Sequence, residues 1–163
     1  MRRPRVLFVG HGRAGKDTAA EMFCDATGLK FAGTFSKYII RFVAPKLGLT
    51  EDDAYARRHE SDEMRMLWFH TGNEVRSSDP ALLAKMAFEN GDVSGGVRGL
   101  PEIEAIRRDR VADMIVWVER DVPTDPTMEF GREYADVVIE NNGTIEDLRV
   151  RVTALASLFN NCG

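Results

Sequence analysis

The segment GHGRAGKD, from Gly10 to Asp17, constrains the fold of this 163-residue chain more than any other feature. It follows an apolar run, VLFV, that predicts a buried strand over about Arg5–Val9, and it precedes a helical pattern over about Lys16–Thr27. Glycines at three of its positions allow successive backbone N–H groups to turn toward one anion. The N-terminus of the following helix adds a partial positive charge. The segment therefore predicts a phosphate-binding loop between the first strand and the first helix.

The residue types in this loop predict how it would hold a nucleotide. Lys16 is placed to reach the β- and γ-phosphates as a point charge, and Arg13 either adds a second positive charge near the γ-phosphate or faces solvent. Asp17 stands where a serine or threonine usually ligates Mg²⁺; a carboxylate also attracts Mg²⁺, and the neighbouring Thr18 offers a hydroxyl. The predicted ATP- and Mg²⁺-binding residues are Gly10, Gly12, Ala14, Gly15, Lys16, Asp17 and Thr18, with Asp17 and Thr18 as the metal ligands.

Short β-branched runs alternate with helical patterns after the loop, which predicts an α/β fold with a parallel sheet. The further strands are expected at about residues 30–34, 92–97, 114–118 and 136–139. We expect a helix break at Gly72, and the polar segment Thr50–Arg65 predicts a solvated helix. Thr144, with Asp147 three residues on, predicts a capping box on the last helix, whose buried stripe would begin at Ile145.

Length and composition predict one domain over residues 1–163. No apolar run approaches the roughly 20 residues that span a bilayer, and the run behind the basic N-terminus is too short for a signal peptide, so a cytoplasmic location is expected. The net charge of −4 argues against a protein that mainly binds polymeric nucleic acid. Cys24 and Cys162 suggest no disulfide framework, and the three histidines lack metal-ligand spacing.

The segment GKDT, Gly15 to Thr18, resembles the phosphate loop of the phage-type deoxynucleoside monophosphate kinases of the P-loop kinase superfamily. Further segments resemble that family in the same order, namely FSKYIIRFVAPKLGL, TGNEVRSSDPALLAKMA, VRGLPEIEAIR and ADVVIENNGTIEDL. The resemblance implies a three-layer P-loop kinase fold with a parallel five-stranded sheet flanked by helices. It also implies ATP- and Mg²⁺-dependent phosphorylation of a deoxynucleoside monophosphate to the diphosphate.

The resemblance further implies an acceptor-binding region over about residues 34–90 and a short lid over about residues 120–134. Bringing two polyanions together requires positive side chains more than acid–base chemistry, so arginines and lysines are the natural candidates. The predicted acceptor-binding residues are Phe35, Lys37, Arg41, Arg76, Arg98 and Glu102. Arg120 and Arg132 of the lid are predicted to close over the phosphates. The turn Asn141–Thr144, with Asn142 and Gly143, is predicted to lie near the donor adenine. The lid arginines fit ordinary surface positions nearly as well.

Two departures from the family pattern leave other functions open. Gly96 stands where the family often has an aspartate that helps to hold Mg²⁺, and no glutamine precedes the TGNE segment. The alternatives are a dephospho-coenzyme A kinase, a P-loop kinase that acts on modified bases in DNA, and a nucleotide-binding module without activity. The expected partners are small nucleotide substrates, with no membrane and no polymeric nucleic acid, and a homodimer stays open. The cytoplasm in question is the host's if a phage encodes the chain.

Overall fold

A computed structural model describes residues 2–160 of the chain. Within these residues lie five strands, seven α-helices and one 3₁₀ turn. In chain order they are β1 (Val6–Val9), α1 (Lys16–Thr27), β2 (Phe31–Thr34), α2 (Ser36–Leu47), α3 (Glu51–Ala56), α4 (Asp62–Ser78), α5 (Leu82–Asn90), β3 (Val93–Gly95), α6 (Leu100–Arg108), β4 (Met114–Glu119), the 3₁₀ turn (Arg132–Tyr134), β5 (Val137–Glu140) and α7 (Ile145–Asn160).

The five strands form one parallel sheet in the order β2-β3-β1-β4-β5. β1 lies in the middle, where Val6 is paired with Val93 of β3 on one side and with Met114 of β4 on the other. All four residues of β1 are buried, as expected for a parallel strand that is covered on both faces. The parallel five-stranded sheet of the predicted fold class is therefore confirmed.

Helices cover both faces of the sheet and give the fold three layers. Side chains alternate along β1, so that Leu7 joins the core cluster containing Tyr38 of α2, whereas Phe8 joins the cluster containing Phe23 of α1 and Leu148 of α7. The second cluster is closed by the packing of α1 against α7. This arrangement leaves the carboxyl ends of the strands free to carry ligand-binding loops.

The structure differs from the sequence prediction at three places in the helices. Gly72 lies buried inside α4 and does not break it, because a single helical glycine costs only about 1 kcal/mol. The polar segment forms two helices, since Ser61 caps α4 by accepting a hydrogen bond from the amide of Met64 over 3.1 Å. Ile145 is 55% exposed, because the buried stripe of α7 begins only at Leu148. The capping box of Thr144 and Asp147 is present as predicted.

In the part of the chain that the structure describes, none of the helices combines the length and the apolar character that a membrane span requires.

Candidate active site

Glycines shape the loop between β1 and α1. Gly10 has φ 155°, and a Cβ atom there would lie 2.7 Å from the carbonyl oxygen of Val118 in β4. Gly15 precedes α1 with φ 88°, and a Cβ atom there would lie 2.5 Å from Nδ2 of Asn141. Larger residues would therefore push the loop off the sheet edge. Arg13 also has a positive φ of 66°, so the loop turns sharply on both sides of Ala14.

Asn141 ties the loop to the far side of the sheet. It is the first residue after β5, it is buried, and its Nδ2 atom donates to the carbonyl oxygen of Ala14 over 2.8 Å. Its backbone amide donates to the carbonyl oxygen of Glu119, which ends β4. The phosphate loop is thus held at the carboxyl ends of β1, β4 and β5.

A cavity of about 700 Å³ opens beside this loop. Its walls come from the start of α1, the end of β2, helix α4, the segment after β3, the start of α6 and the loop that follows β4. The polar residues that line it include Lys16, Asp17, Asn73, Arg76, Arg98 and Glu102. Phe35, Trp68 and Phe69 supply aromatic surface to the same cavity. One cavity therefore combines the loop lysine, two arginines and flat apolar surface.

Lys16 is the first residue of α1 and is held in a partly dehydrated position. Burial lowers the pKa of its ammonium, and the nearby positive charge of Arg98 lowers it further. Asp17 and Asp125 act in the opposite direction and favour the charged form. An ammonium ion that has lost part of its hydration and lies at a helix N-terminus is well suited to bind an anion.

Arg76 and Arg98 reach the cavity from different elements. Arg76, in α4, donates from Nε to Oε2 of Glu102 over 3.0 Å, and Glu102 is only 1% exposed. Burial raises the pKa of Glu102, and the charge of Arg76 partly offsets that effect. Arg98 follows β3 and donates from Nη1 to Asp125 and to the hydroxyl of Thr127. Both guanidinium groups are thus restrained before any ligand binds.

Asp125 lies at the phosphate loop. Its Oδ2 atom accepts a hydrogen bond from the amide of Gly12 over 3.3 Å and from Arg98 over 2.5 Å. Its own amide donates to Nδ1 of His11 over 3.2 Å. Burial raises the pKa of Asp125, but hydrogen bonds from Thr127 and the charge of Arg98 outweigh burial and hold it well below its usual range. A carboxylate that is ionised near neutral pH therefore contacts both the amide of Gly12 and the guanidinium of Arg98.

The loop between β4 and the 3₁₀ turn, which was predicted to be a lid, closes against the segment after β3. Glu129 accepts a hydrogen bond from the amide of Leu100 over 2.7 Å and donates its own amide to the carbonyl oxygen of Arg98. Arg120 and Arg132, the two predicted lid arginines, are both exposed. The loop residues that line the cavity are instead Thr127 and Glu129.

The structure brings some of the predicted acceptor-binding residues together and separates others. The 700 Å³ cavity contains four of them beside Lys16 and Asp17, namely Phe35, Arg76, Arg98 and Glu102. Lys37 and Arg41 line a second cavity of about 580 Å³, which shares Asp17 and Thr34 with the first. Arg13, Asn142 and Gly143 are exposed, and Asn142 accepts a hydrogen bond from the amide of Asp121.

Sequence reasoning missed Asp125 and Trp68 as site residues, and it placed Asn141 only in a turn near the donor adenine, without its contact to the phosphate loop. Asp125 lies in an irregular loop, where no periodicity or spacing predicts which side chain turns inward. Asn141 carried a usable signal, because it directly follows a strand and ligands of parallel sheets gather at that end. Trp68 was assigned to the core, although its exposed part lines the cavity.

The side chains at the cavity offer few ligands for Mg²⁺. Among residues 2–160 no group of three or more acidic, histidine or cysteine side chains could hold a metal ion. Mg²⁺ in nucleotide sites needs only one or two protein ligands, because phosphates and water supply the rest. Asp17 meets that requirement since it lines the cavity beside Lys16. Thr18 is exposed and is not one of the residues lining either cavity.

The thiol of Cys24 is not suited to nucleophilic chemistry. Burial and, to a smaller extent, the neighbouring carboxylate of Asp25 raise its pKa to about 11. The thiolate is therefore scarce near neutral pH. Cys162 lies outside the described residues.

Comparison with known proteins supports the fold. No family model matches the chain, and no curated protein matches it. The shikimate kinase of Acinetobacter baumannii, solved in complex with shikimate, is similar with a TM-score of 0.55 at 15% identity, over 98% of this chain and 94% of that chain. The chain has the P-loop kinase fold. At this identity the likeness concerns the fold, and shikimate is the ligand of that other protein.

Two further solved structures are similar at lower scores. A sugar kinase from a Janibacter species has a TM-score of 0.49 at 18% identity, over 97% of this chain and 95% of that chain. A shikimate kinase from Aquifex aeolicus has a TM-score of 0.46 at 16% identity, over 96% of this chain and 98% of that chain.

Proposed function

We propose that this protein transfers the γ-phosphoryl group of ATP to the phosphate of a deoxynucleoside monophosphate. The observation that carries the proposal is the 700 Å³ cavity in which Lys16 of the phosphate loop faces the same space as Arg76 and Arg98. Two guanidinium groups are what a doubly charged monophosphate needs in order to approach a triphosphate. The deoxynucleotide specificity rests on the resemblance that the GKDT segment carries.

The engagement of the cavity's carboxylates favours an anionic acceptor. Glu102 is bonded to Arg76, and Glu129 accepts from the amide of Leu100. The remaining carboxylate of the cavity, Asp17, is the one proposed to hold Mg²⁺, so the proposal assigns no general base for a hydroxyl acceptor. A monophosphate needs no such base, because its phosphate oxygen is already an anionic nucleophile.

Each group has a distinct task in this proposal. The loop amides and Lys16 bind the donor phosphates and balance the charge that gathers on the transferred group. Arg76 and Arg98 hold the acceptor phosphate in line, while a bond forms from its oxygen to phosphorus as the bond to ADP breaks. Mg²⁺, when bound, would neutralise part of the phosphate charge, and Asp17 is the residue placed to hold it.

Aromatic surface in the cavity offers a place for the acceptor's base. Phe35 is 2% exposed and Trp68 is half-buried, and both line the cavity. Flat side chains stack on any base, so they support nucleotide binding without choosing a base. Thr127 and Glu129, from the loop after β4, border the same cavity and would limit the access of water to the phosphoryl group.

The proposal includes the setting in which the enzyme works. We infer small-molecule nucleotide partners rather than polymeric nucleic acid, since the net charge of −4 does not favour a polyanion. A cytoplasmic location belongs to the proposal, which leaves a homodimer open.

The test is ADP production from ATP·Mg²⁺ with a panel of deoxynucleoside and nucleoside monophosphates. Shikimate, dephospho-coenzyme A and DNA containing hydroxymethyluracil serve as competing acceptors in the same assay. Lys16→Ala removes the phosphate-binding charge and should lower turnover at least about 100-fold. The matched control is Lys30→Ala, because Lys30 is an exposed lysine before β2 that lines neither cavity.

Turnover on one or more deoxynucleoside monophosphates, lost in Lys16→Ala and kept in Lys30→Ala, would support the proposal and identify the base. Turnover confined to shikimate, dephospho-coenzyme A or DNA would replace the monophosphate by that acceptor. ATP binding without turnover on the whole panel would overturn the enzymatic proposal in favour of a binding module.

A further inference from the structure

We propose that Glu102 and Gly72 are positioning residues that hold the guanidinium of Arg76 for the acceptor phosphate. The inference rests on the proposed function, in which Arg76 binds that phosphate. It concerns two residues that do not themselves contact the reacting atoms. Three observations on the Arg76 side chain and its surroundings carry it.

The first observation is a buried charge pair with a directional bond. Glu102 is 1% exposed, and its Oε2 atom accepts from Nε of Arg76 over 3.0 Å. A carboxylate buried this deeply is costly unless a positive partner remains beside it. The bond uses Nε, so it fixes the plane of the guanidinium and does not consume the terminal amino groups. Those amino groups are the ones that bind phosphate in a bidentate manner.

The second observation concerns what else the Glu102 carboxylate faces. The backbone amides of Arg98 and Gly99 lie close enough to lower its pKa, although burial still raises the pKa overall. Its Oε1 atom is buried and has no hydrogen-bond partner of good geometry among the described residues. One carboxylate therefore lies between Arg76 and the turn that carries Arg98. A buried oxygen left this way is unfavourable for stability, which suggests a role other than stability.

The third observation is the space above Gly72. It lies one helical turn before Arg76 in α4, and a Cβ atom there would be 3.0 Å from Nη1 of Arg76. The same Cβ atom would be 3.5 Å from Cδ1 of Ile39. Alanine has a higher helix propensity than glycine, so helix propensity does not explain the glycine at this position. It leaves room for the guanidinium to lie against the helix backbone.

Together these contacts restrict Arg76 from two sides. Glu102 accepts a hydrogen bond from Nε of the Arg76 guanidinium, and Nη1 of the same guanidinium packs against the backbone at Gly72. An arginine side chain that is already ordered loses less rotational entropy when it binds a ligand. Both residues should therefore affect the binding of the acceptor and leave the binding of ATP almost unchanged.

The variants Glu102→Gln and Gly72→Ala test this role. Glutamine keeps the shape of Glu102 and an oxygen for Nε, but it removes the charge. We expect the KM for the acceptor to rise about tenfold in each variant, because Glu102→Gln removes the charge from one hydrogen bond and Gly72→Ala displaces the guanidinium. The KM for ATP should change less than about twofold on the same scale. The matched control is Glu104→Gln, because Glu104 is an exposed glutamate of the same helix.

Thermal unfolding separates positioning from a structural role. Burial raises the pKa of Glu102, so the ionisation of this side chain is less favourable in the folded protein than in the unfolded chain. Glu102→Gln should therefore unfold at the same temperature as the wild type or higher, while its acceptor KM rises. A structural role predicts a lower unfolding temperature together with equal changes in both KM values.

The exchange rate of the Arg76 Nε proton with water, measured by ¹⁵N NMR, tests the positioning role without an activity assay. The hydrogen bond to Glu102 should slow its exchange with water, and exchange should be at least about tenfold faster in Glu102→Gln. If the wild type uses none of the monophosphates, the proposed function fails, and the exchange rates still decide the positioning role. Equal exchange in the two proteins, or an unchanged acceptor KM in an active enzyme, would overturn the inference.

Discussion

Nη1 of Arg98 donates a hydrogen bond to Oδ2 of Asp125 over 2.5 Å, and the same oxygen accepts the amide of Gly12 in the phosphate loop over 3.3 Å. A carboxylate of the loop after β4 thus joins the phosphate loop to the arginine that follows β3. Both donors are groups that bind phosphate oxygens in nucleotide sites. A phosphate that takes these donors has to displace the carboxylate, and the loop carrying Asp125 would move with it.

Asp125→Asn should therefore strengthen nucleotide binding. The amide keeps the size of the side chain and removes the negative charge that competes with phosphate. We expect the dissociation constant for ATP to fall about fivefold, measured by isothermal titration calorimetry, since hydrogen bonds to charged groups contribute about 1.5–3 kcal/mol and part of that is retained by the amide. Asp121→Asn, at an exposed position in the same loop, is the control. Weaker ATP binding in Asp125→Asn would show that the carboxylate assists the nucleotide.

The pH dependence of stability should differ between the wild type and Asp125→Asn. The folded-state pKa of Asp125 is depressed, so its ionised form stabilises the folded protein above the unfolded pKa of about 4. That contribution is lost as the pH falls through the depressed folded-state pKa. We expect the difference in unfolding free energy to be constant from about pH 5 to pH 8 and to shrink below about pH 4. Urea titrations at several pH values measure it, and a difference that grows on acidification would contradict the assignment.

The basic residues of the two cavities should contribute unequally to acceptor binding. Arg76→Gln and Arg98→Gln should each raise the KM for the acceptor about 10- to 100-fold, since each removes a charge-assisted contact. Lys37→Gln and Arg41→Gln should raise it less than about threefold, because these residues line the second cavity. Steady-state kinetics on all four variants makes the comparison. A larger effect at Lys37 or Arg41 would support the sequence prediction that they bind the acceptor.

Two glycines with left-handed backbones offer a matched pair for the phosphate loop. Gly28, after α1, has φ 72° and open space around a Cβ atom, so Gly28→Ala should cost about 1 kcal/mol of unfolding free energy. Gly15 has φ 88°, and a Cβ atom there would collide with Asn141. Gly15→Ala should cost more stability and also weaken ATP binding at least about tenfold. Equal effects of the two substitutions on ATP binding would mean that Asn141 does not fix the loop.

The ionisation of Glu102 should change the stability with pH in the opposite direction from that of Asp125. The folded-state pKa of Glu102 is raised above the unfolded value, so stability is fully present below the unfolded pKa and declines as the pH rises through the folded pKa. Glu102→Gln cannot ionise and should remove this decline. Unfolding free energies from about pH 4 upward test it, with Glu104→Gln as the control. An identical pH profile in Glu102→Gln and the wild type would indicate that Glu102 does not titrate in this range.

The sheet and the phosphate loop were predictable because their signals are local. VLFV followed by spaced glycines and Lys16 indicates strand, loop and helix from neighbouring residues alone, and the structure has β1 and α1 where they were expected. The capping box at Thr144 is local in the same sense. Its partner Asp147 is three residues away, so chain geometry fixes the contact in advance.

The acceptor side was less predictable because its contacts are distant in sequence. Lys37 and Arg41 share a helix face with regular spacing, but that spacing does not say which of two adjacent cavities the face lines. Gly72 looked like a helix break because the reason for it, the guanidinium of Arg76, becomes visible only once the chain is folded. Asp125 contacts Gly12 across 113 residues of sequence, and no pattern in its own loop predicts that contact.

In the proposed reaction a phosphoryl group passes from ATP to the phosphate of a nucleoside monophosphate. The measurement that tests it most directly is ³¹P NMR of a reaction containing enzyme, ATP, Mg²⁺ and a monophosphate that stimulates ADP release. We predict that ATP is consumed while ADP and the deoxynucleoside diphosphate rise in equal amounts, with little orthophosphate and no reaction in Lys16→Ala. Orthophosphate rising in step with ADP, with the monophosphate signal unchanged, would contradict the claim.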